Sequence, residues 1–191
     1  LGLRFTDRNV FHLLLHYVLL WGQSETAVRL ISAVSGVLSV LALYALGKRL
    51  MGQSVALLAA FLLAISPYHV WYSREGRNYG LLVLLGLLAS YFMVRALDDN
   101  SRRSWIGYVV LAGLSVYTHT FGILLIGALN LYAMIRLAVR RAPVHAVALW
   151  LAAQAALAVA IFPMESGFVS QGGAGWGGAA VDTPLRRSTR D

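Results

Sequence analysis

The sequence predicts an all-α chain, a polytopic bundle of transmembrane helices, and three observations carry that expectation. Hydrophobic residues make up 59% of the 191 positions and charged residues only 13%, about half the charged share of a soluble domain. Apolar runs of membrane-crossing length recur along the chain. The basic residues, which give a formal net charge of +8, collect at the ends of those runs, as orientation signals beside a membrane do. That placement turns the high charge away from nucleic acid and towards membrane lipids.

Residues 1–26 carry Arg4, Asp7 and Arg8 and then an apolar stretch over 10–21, with His12 and His16 four apart. A stretch of that length is too short to cross a hydrocarbon layer of ~30 Å and fits an interfacial helix. The two histidines share a face, which suits a metal pair or an ordinary headgroup-level helix face. Residues 27–47 form the first span, closed by Lys48 and Arg49. The second, 54–72, is interrupted at Ser66-Pro67, where a missing N–H and a ring clash kink or end a helix. The third, 79–97, runs into the polar turn from Asp98 to Arg103.

Residues 105–139 are too long for one crossing, since 35 helical residues at ~1.5 Å each reach ~52 Å. The break belongs at Tyr117-Thr118-His119-Thr120-Phe121-Gly122, which makes two crossings of the run. A last span, 146–162, ends at Pro163, giving about six crossings over 27–163. Residues 164–191 are glycine-rich and are expected to be a flexible tail.

Charge tests this arrangement. Lys48, Arg49, Arg95, Arg102, Arg103, Arg136, Arg140 and Arg141 fall at every second boundary, so one side collects eight basic residues and is expected to be cytoplasmic. The stretch 66–79 (SPYHVWYSREGRNY) and the turn 117–122 then share the outer face. Charge lodged between membrane-length segments is costly unless it meets water, a partner or a ligand. Arg74 and Arg77, three apart, would grip one anion together if the turn were helical, and a guanidinium fork suits phosphate oxygens. Lipid headgroups would satisfy the same pair. Glu75 can orient an arginine or accept a proton, and Tyr79 can donate to Glu75 or to a sugar hydroxyl. His119 can donate to phosphate or sugar, or satisfy carbonyls at a helix end. His69 is a further candidate beside Trp71, as ligand contact or as interfacial ring.

The absence of cysteine removes thiolate metal sites and thiol nucleophiles. No nucleotide-binding glycine loop, H-E-x-x-H or G-x-S-x-G is present, and neither a cofactor nor a metal is expected.

The segments LLLHY (13–17), SETAVRLISAVSGVLSV (24–40), YALGKRLMG (44–52), SPYHVWYSREGRNY (66–79) and YTHTFG (117–122), in this order, resemble the GT-C class of membrane glycosyltransferases. The similarity is to the protein-mannosyltransferase-like group (glycosyltransferase family 39) that includes Rgt-type and aminoarabinose transferases. The resemblance implies transfer of a sugar from a polyprenyl-phosphate donor to a lipid, glycan or protein acceptor, at the outer face of a plasma membrane, here a bacterial inner membrane. It implies an acidic general base in the first outer loop, for which Asp7 is the candidate, and cationic stabilisation of the phosphate by Arg74, Arg77 and His119. Family members usually carry an earlier helix and an acidic pair ahead of the region where this sequence starts, and Asp7 stands in a segment without the expected prolines. The expectation is therefore of a catalytic part that is incomplete at both ends. A transporter or flippase of lipid-linked sugar, and a non-catalytic fragment, are the alternative readings.

Overall fold

The structure, a computed structural model, describes the backbone of residues 25–75 and 77–175 and the side chains of residues 29–75 and 77–162. Asp7, the expected interfacial helix with His12 and His16, and residues 176–191 lie outside the described residues. Among the described residues the chain is all helical. The helices are α1 (Glu25–Met51), α2 (Gln53–Ile65), α3 (Pro67–Arg74), α4 (Tyr79–Asp99), α5 (Arg102–Thr118), α6 (Gly122–Val139) and α7 (Val144–Gly175). Four carry stretches long and apolar enough to cross a membrane: Arg29–Met51, Tyr79–Asp99, Gly122–Val139 and Val144–Phe162. Helices α2 and α3, bent by 58° at their junction, make a fifth candidate as a broken span or a re-entrant loop.

Each break has a local cause. Gly52, at φ 90°, occupies a left-handed conformation that glycine adopts freely, and it reverses the chain between α1 and α2. Gly47 and Ala56 meet across that reversal, where a Cβ on Gly47 would stand 3.2 Å from Ala56. Ser66 ends α2 in an extended conformation and starts α3, with Pro67 in the first turn where its missing N–H costs nothing. The expected kink at Ser66-Pro67 is thus present. Helix α4 stops at Asn100 in the left-handed region, and α5 stops where His119 turns extended. The long apolar run therefore divides at the predicted turn.

Helix α5 stands where a sixth crossing was expected, but its 17 residues are shorter and less apolar than the other spans. Its packing explains the difference. Ser104, Trp105, Tyr108, Ala112, Ser115, Val116 and Thr118 are buried, while Ile106 and Val110 are exposed, so one face of α5 packs against its neighbours and that face carries these polar residues. Small residues let helices approach closely where no hydrophobic effect drives association. Ala89, Met93 and Ala96 of α4, Tyr108 and Ala112 of α5, Leu129 and Ala133 of α6, and Ala153 and Leu157 of α7 form the core cluster. The outward faces of α2 and α6 expose Leu58, Phe61, Leu62, Leu124, Leu131 and Val139, the composition of a lipid-facing surface.

Helix α7 continues as helical backbone past Pro163 to Gly175. A proline removes one backbone bond and need not terminate the helix around it. Residues to Ile161 belong to one compact unit and Phe162–Asp191 to a second, whose described part is helical backbone.

The basic residues expected on one side do gather at one end. Asp98 accepts from Arg49 (3.4 Å), Arg136 (2.6 Å) and Arg140 (3.1 Å). Asp99 pairs with Arg49 and, at 3.4 Å, with Arg95. Two carboxylates at the end of α4 thereby tie together the basic ends of α1 and α6.

The turn between α5 and α6 yields a test. A Cβ on Gly122 would stand 2.7 Å from backbone atoms of Ser115 and Val116, which cannot yield as a side chain can, whereas one on Gly127 would meet nothing within 4 Å. Gly122→Ala should destabilise the protein by about 1–3 kcal/mol. Gly127→Ala should be neutral or stabilising by up to about 1 kcal/mol, because alanine is the better helix former. Thermal unfolding of both variants in detergent checks the contrast.

Candidate functional site

Helix α3 has two working faces. Pro67, Val70, Trp71 and Arg74 recur at helical spacing and, with Ile65, Glu75 and Arg29 of α1, line an open cleft of about 740 Å³. His69 and Ser73, four apart, turn the other way onto α1. His69 Nε2 lies 3.1 Å from the Gly36 carbonyl, which assigns the ring proton to Nε2 as donor. Ser73 Oγ donates to the His69 carbonyl at 2.7 Å. Gly36 is what admits this contact, since a Cβ there would fall 2.2 Å from Ser73 Oγ. His69 therefore positions α3 against α1 and is not among the residues lining the cleft.

Helix α3 ends at Arg74, so Arg74 and Arg77 do not share one helical face. Arg74 lines the cleft, and so does Glu75, which caps the helix. Arg77 lies beyond, its side chain 62% exposed and its Nε 3.9 Å from Glu75 Oε1, a loose ion pair at the edge of the site. The paired grip expected of Arg74 and Arg77 gives way to a different juxtaposition, Arg74 with Arg29. Two guanidinium groups and one carboxylate line the cleft, and the planar guanidinium fork suits phosphate oxygens.

The turn after α3 is held from both sides. Buried Ser32 of α1 donates to the Arg77 carbonyl at 2.9 Å, and Asn78 Nδ2 donates to the Thr118 carbonyl at 2.9 Å. Those bonds bring the two outer turns together. Tyr79 stacks its ring edgewise with Tyr72 (5.3 Å between centroids) and tilted against His119 (5.6 Å), which in turn meets Phe121 (4.7 Å). His119 accepts the Phe121 N–H at Nδ1 (3.1 Å), so the neutral ring keeps its proton on Nε2 as a donor for a further group. His119 and the Arg74–Tyr79 turn lie at the same end of the bundle. The site thus has two parts at one end of the bundle, an arginine-lined cleft and an aromatic shelf, connected through the chain from Glu75 to Tyr79.

Arg29, Ser32 and Asn78 were not singled out from sequence. For Arg29 a signal existed, because an arginine at the start of an otherwise apolar span is costly without a role. Ser32 and Asn78 offered none, since their partners are backbone carbonyls distant in sequence. Among the described residues, no three histidine, aspartate or glutamate side chains converge as a metal site requires.

A family model described as dolichyl-phosphate-mannose-protein mannosyltransferase matches residues 10–164. No curated protein and no solved structure matches the chain.

Removing the Ser32 hydroxyl should loosen the turn selectively. Ser32→Ala forfeits one hydrogen bond, worth about 1 kcal/mol, and should speed amide exchange at Arg77 and Asn78 by about fivefold. Exchange measured by mass spectrometry should leave the amides of α6 unchanged, and identical protection of the turn in both proteins would refute the clamp.

Proposed function

Because the chain belongs to the dolichyl-phosphate-mannose-protein mannosyltransferase family, we propose that it moves a sugar from a polyprenyl-phosphate donor held in the α3 cleft to a lipid, glycan or protein acceptor. Membership makes it a membrane glycosyltransferase of the mannosyltransferase type. The observation that carries the finer reading is the cleft itself, with Arg29, Arg74 and Glu75 beside Trp71 where the broken helix pair turns. An apolar carrier with a phosphate head needs a cationic pocket at the edge of an apolar layer, and that is its composition.

The reaction in this reading is a substitution at the anomeric carbon. The acceptor oxygen forms the new glycosidic bond, the bond from the anomeric carbon to the phosphate oxygen breaks, and the electron pair leaves on the phosphate. Arg74 and Arg29 stabilise the charge that grows there, and stabilisation aimed at developing charge is what lowers the barrier. Glu75 orients Arg77 at the rim. Tyr79 and the Nε2–H of His119 offer donors for a sugar hydroxyl or a phosphate oxygen. The acceptor proton goes to a carboxylate, for which Asp7, outside the described residues, is the candidate general base. His69 acts at one remove, by seating α3 on α1.

The end carrying this site lies opposite the basic cluster, which by the positive-inside rule supports a reaction on the outer face of a plasma membrane; in this reading it is a bacterial inner membrane, as the family resemblance implies.

In the full-length protein, Arg74→Ala should lower transfer from a polyprenyl-phosphate sugar by more than tenfold, since a contact to developing charge is worth several kcal/mol. Arg77→Ala, altering an exposed and loosely paired group, should cost less. Radiolabelled-sugar transfer in detergent measures both, and undiminished turnover in Arg74→Ala would remove the cleft from the reaction.

A further inference from the structure

A second cleft lies at the basic end, about 280 Å³ in volume, and Arg136, Arg140, His145, Asp98, Asn100 and Pro143 are among its lining residues. We propose that it binds the phosphate-bearing headgroup of an anionic phospholipid in the leaflet that this end faces. The site is separate from the α3 cleft and does not depend on the glycosyl-transfer reading.

Charge comes first. Asp98, the acidic side chain in the lining, is shared by Arg136 (2.6 Å) and Arg140 (3.1 Å), so two guanidinium groups and the ring of His145 line the cleft with one carboxylate. Arg136 also donates to the Tyr132 hydroxyl at 2.6 Å, and its buried Nε has no acceptor among the described residues. Lys48, Arg102, Arg103 and Arg141 stand at the same end without an ion pair among the described residues. Helix α7 starts at the cleft, and the Pro143 carbonyl takes the Ala146 and Val147 amides, so the amides of Val144 and His145 are left without an acceptor inside the helix. An anion seated there would meet excess guanidinium charge and the positive end of a helix dipole together.

Apolar surface decides between a lipid and a soluble anion. Leu97, Leu137 and Ala146 also line the cleft, and Val139 and Val144 beside it are exposed by 77% and 86%. The cleft therefore adjoins the lipid-facing surface, where a phospholipid can place its headgroup among the arginines while its acyl chains stay on the apolar residues beside them.

The test uses the full chain in lipid nanodiscs. Replacing part of the phosphatidylcholine with phosphatidylglycerol should raise the unfolding midpoint by about 5 °C. Inorganic phosphate added to all-phosphatidylcholine discs should not reproduce the rise. Arg140→Gln combined with His145→Gln should abolish it, and Arg103→Gln, a charge at the same end outside the cleft, should retain it. Native mass spectrometry of the unaltered protein from an equimolar lipid mixture supplies a readout that needs no variant, and phosphatidylglycerol should remain bound in preference. Equal retention of both lipids, a full rise with inorganic phosphate, persistence of the rise in the double variant, or its loss in Arg103→Gln would each overturn the proposal.

Discussion

A helix that breaks inside an apolar layer strands backbone amides and carbonyls with no water to receive them. This chain breaks repeatedly, and side chains answer the stranded groups. Ser66 Oγ receives the His69 amide at the head of α3, Ser32 bonds the Arg77 carbonyl, Asn78 bonds the Thr118 carbonyl, and His119 receives the Phe121 amide. The Ser32 and Asn78 bonds join α1, the turn ahead of α4 and the end of α5 at one end, and the His119 bond closes the α5–α6 turn locally. The site is therefore a by-product of satisfying the backbone, since the residues that mend one break also hold the next in place.

The two ends of the bundle use charge differently. At the basic end Arg49, Arg95, Arg136 and Arg140 are paired with Asp98 and Asp99, two carboxylates for four guanidinium groups, and most of these ion pairs bind helix ends that are far apart in sequence. At the other end Glu75 stands between Arg74 and Arg77 without closing either into a tight pair. Tight pairing serves assembly. A loosely held guanidinium keeps its donors ready for an incoming oxygen, at the cost of less help to stability.

Helix positions and breaks were legible because they depend on local chemistry: run length, the basic pair Lys48-Arg49, Ser66-Pro67, and the polar turn at His119. The shared end of the basic clusters was legible by counting alone. What sequence could not supply was direction. The spacing of Arg74 and Arg77 suggested one face, but α3 stops at Arg74 and the face ends with it. His69 lies two positions from Trp71, and a helix turns those positions apart, so one lines the cleft and the other grips α1. Helix α5 was read as a membrane span because its sequence is apolar-rich, and its polar Ser104, Ser115 and Thr118 sit on the one face that packs against neighbours, while Ile106 and Val110 are exposed.

The interface of α6 with α7 contains a small set of amides within the apolar core. Asn130 donates to Gln154 at 3.0 Å and accepts from the Trp150 indole at 3.0 Å, while the buried Tyr108 hydroxyl and Gln154 Nε2 have no hydrogen-bond partner among the described residues. Nearer the other end of the bundle, the Tyr117 hydroxyl donates to the Ala160 carbonyl at 2.7 Å. Apolar contacts tolerate a helix spinning about its long axis, because one methyl group replaces another at little loss. Directional amide bonds do not. These two tethers, about 9 Å apart along the axis, give α7 a single azimuth among the many that greasy packing alone would permit.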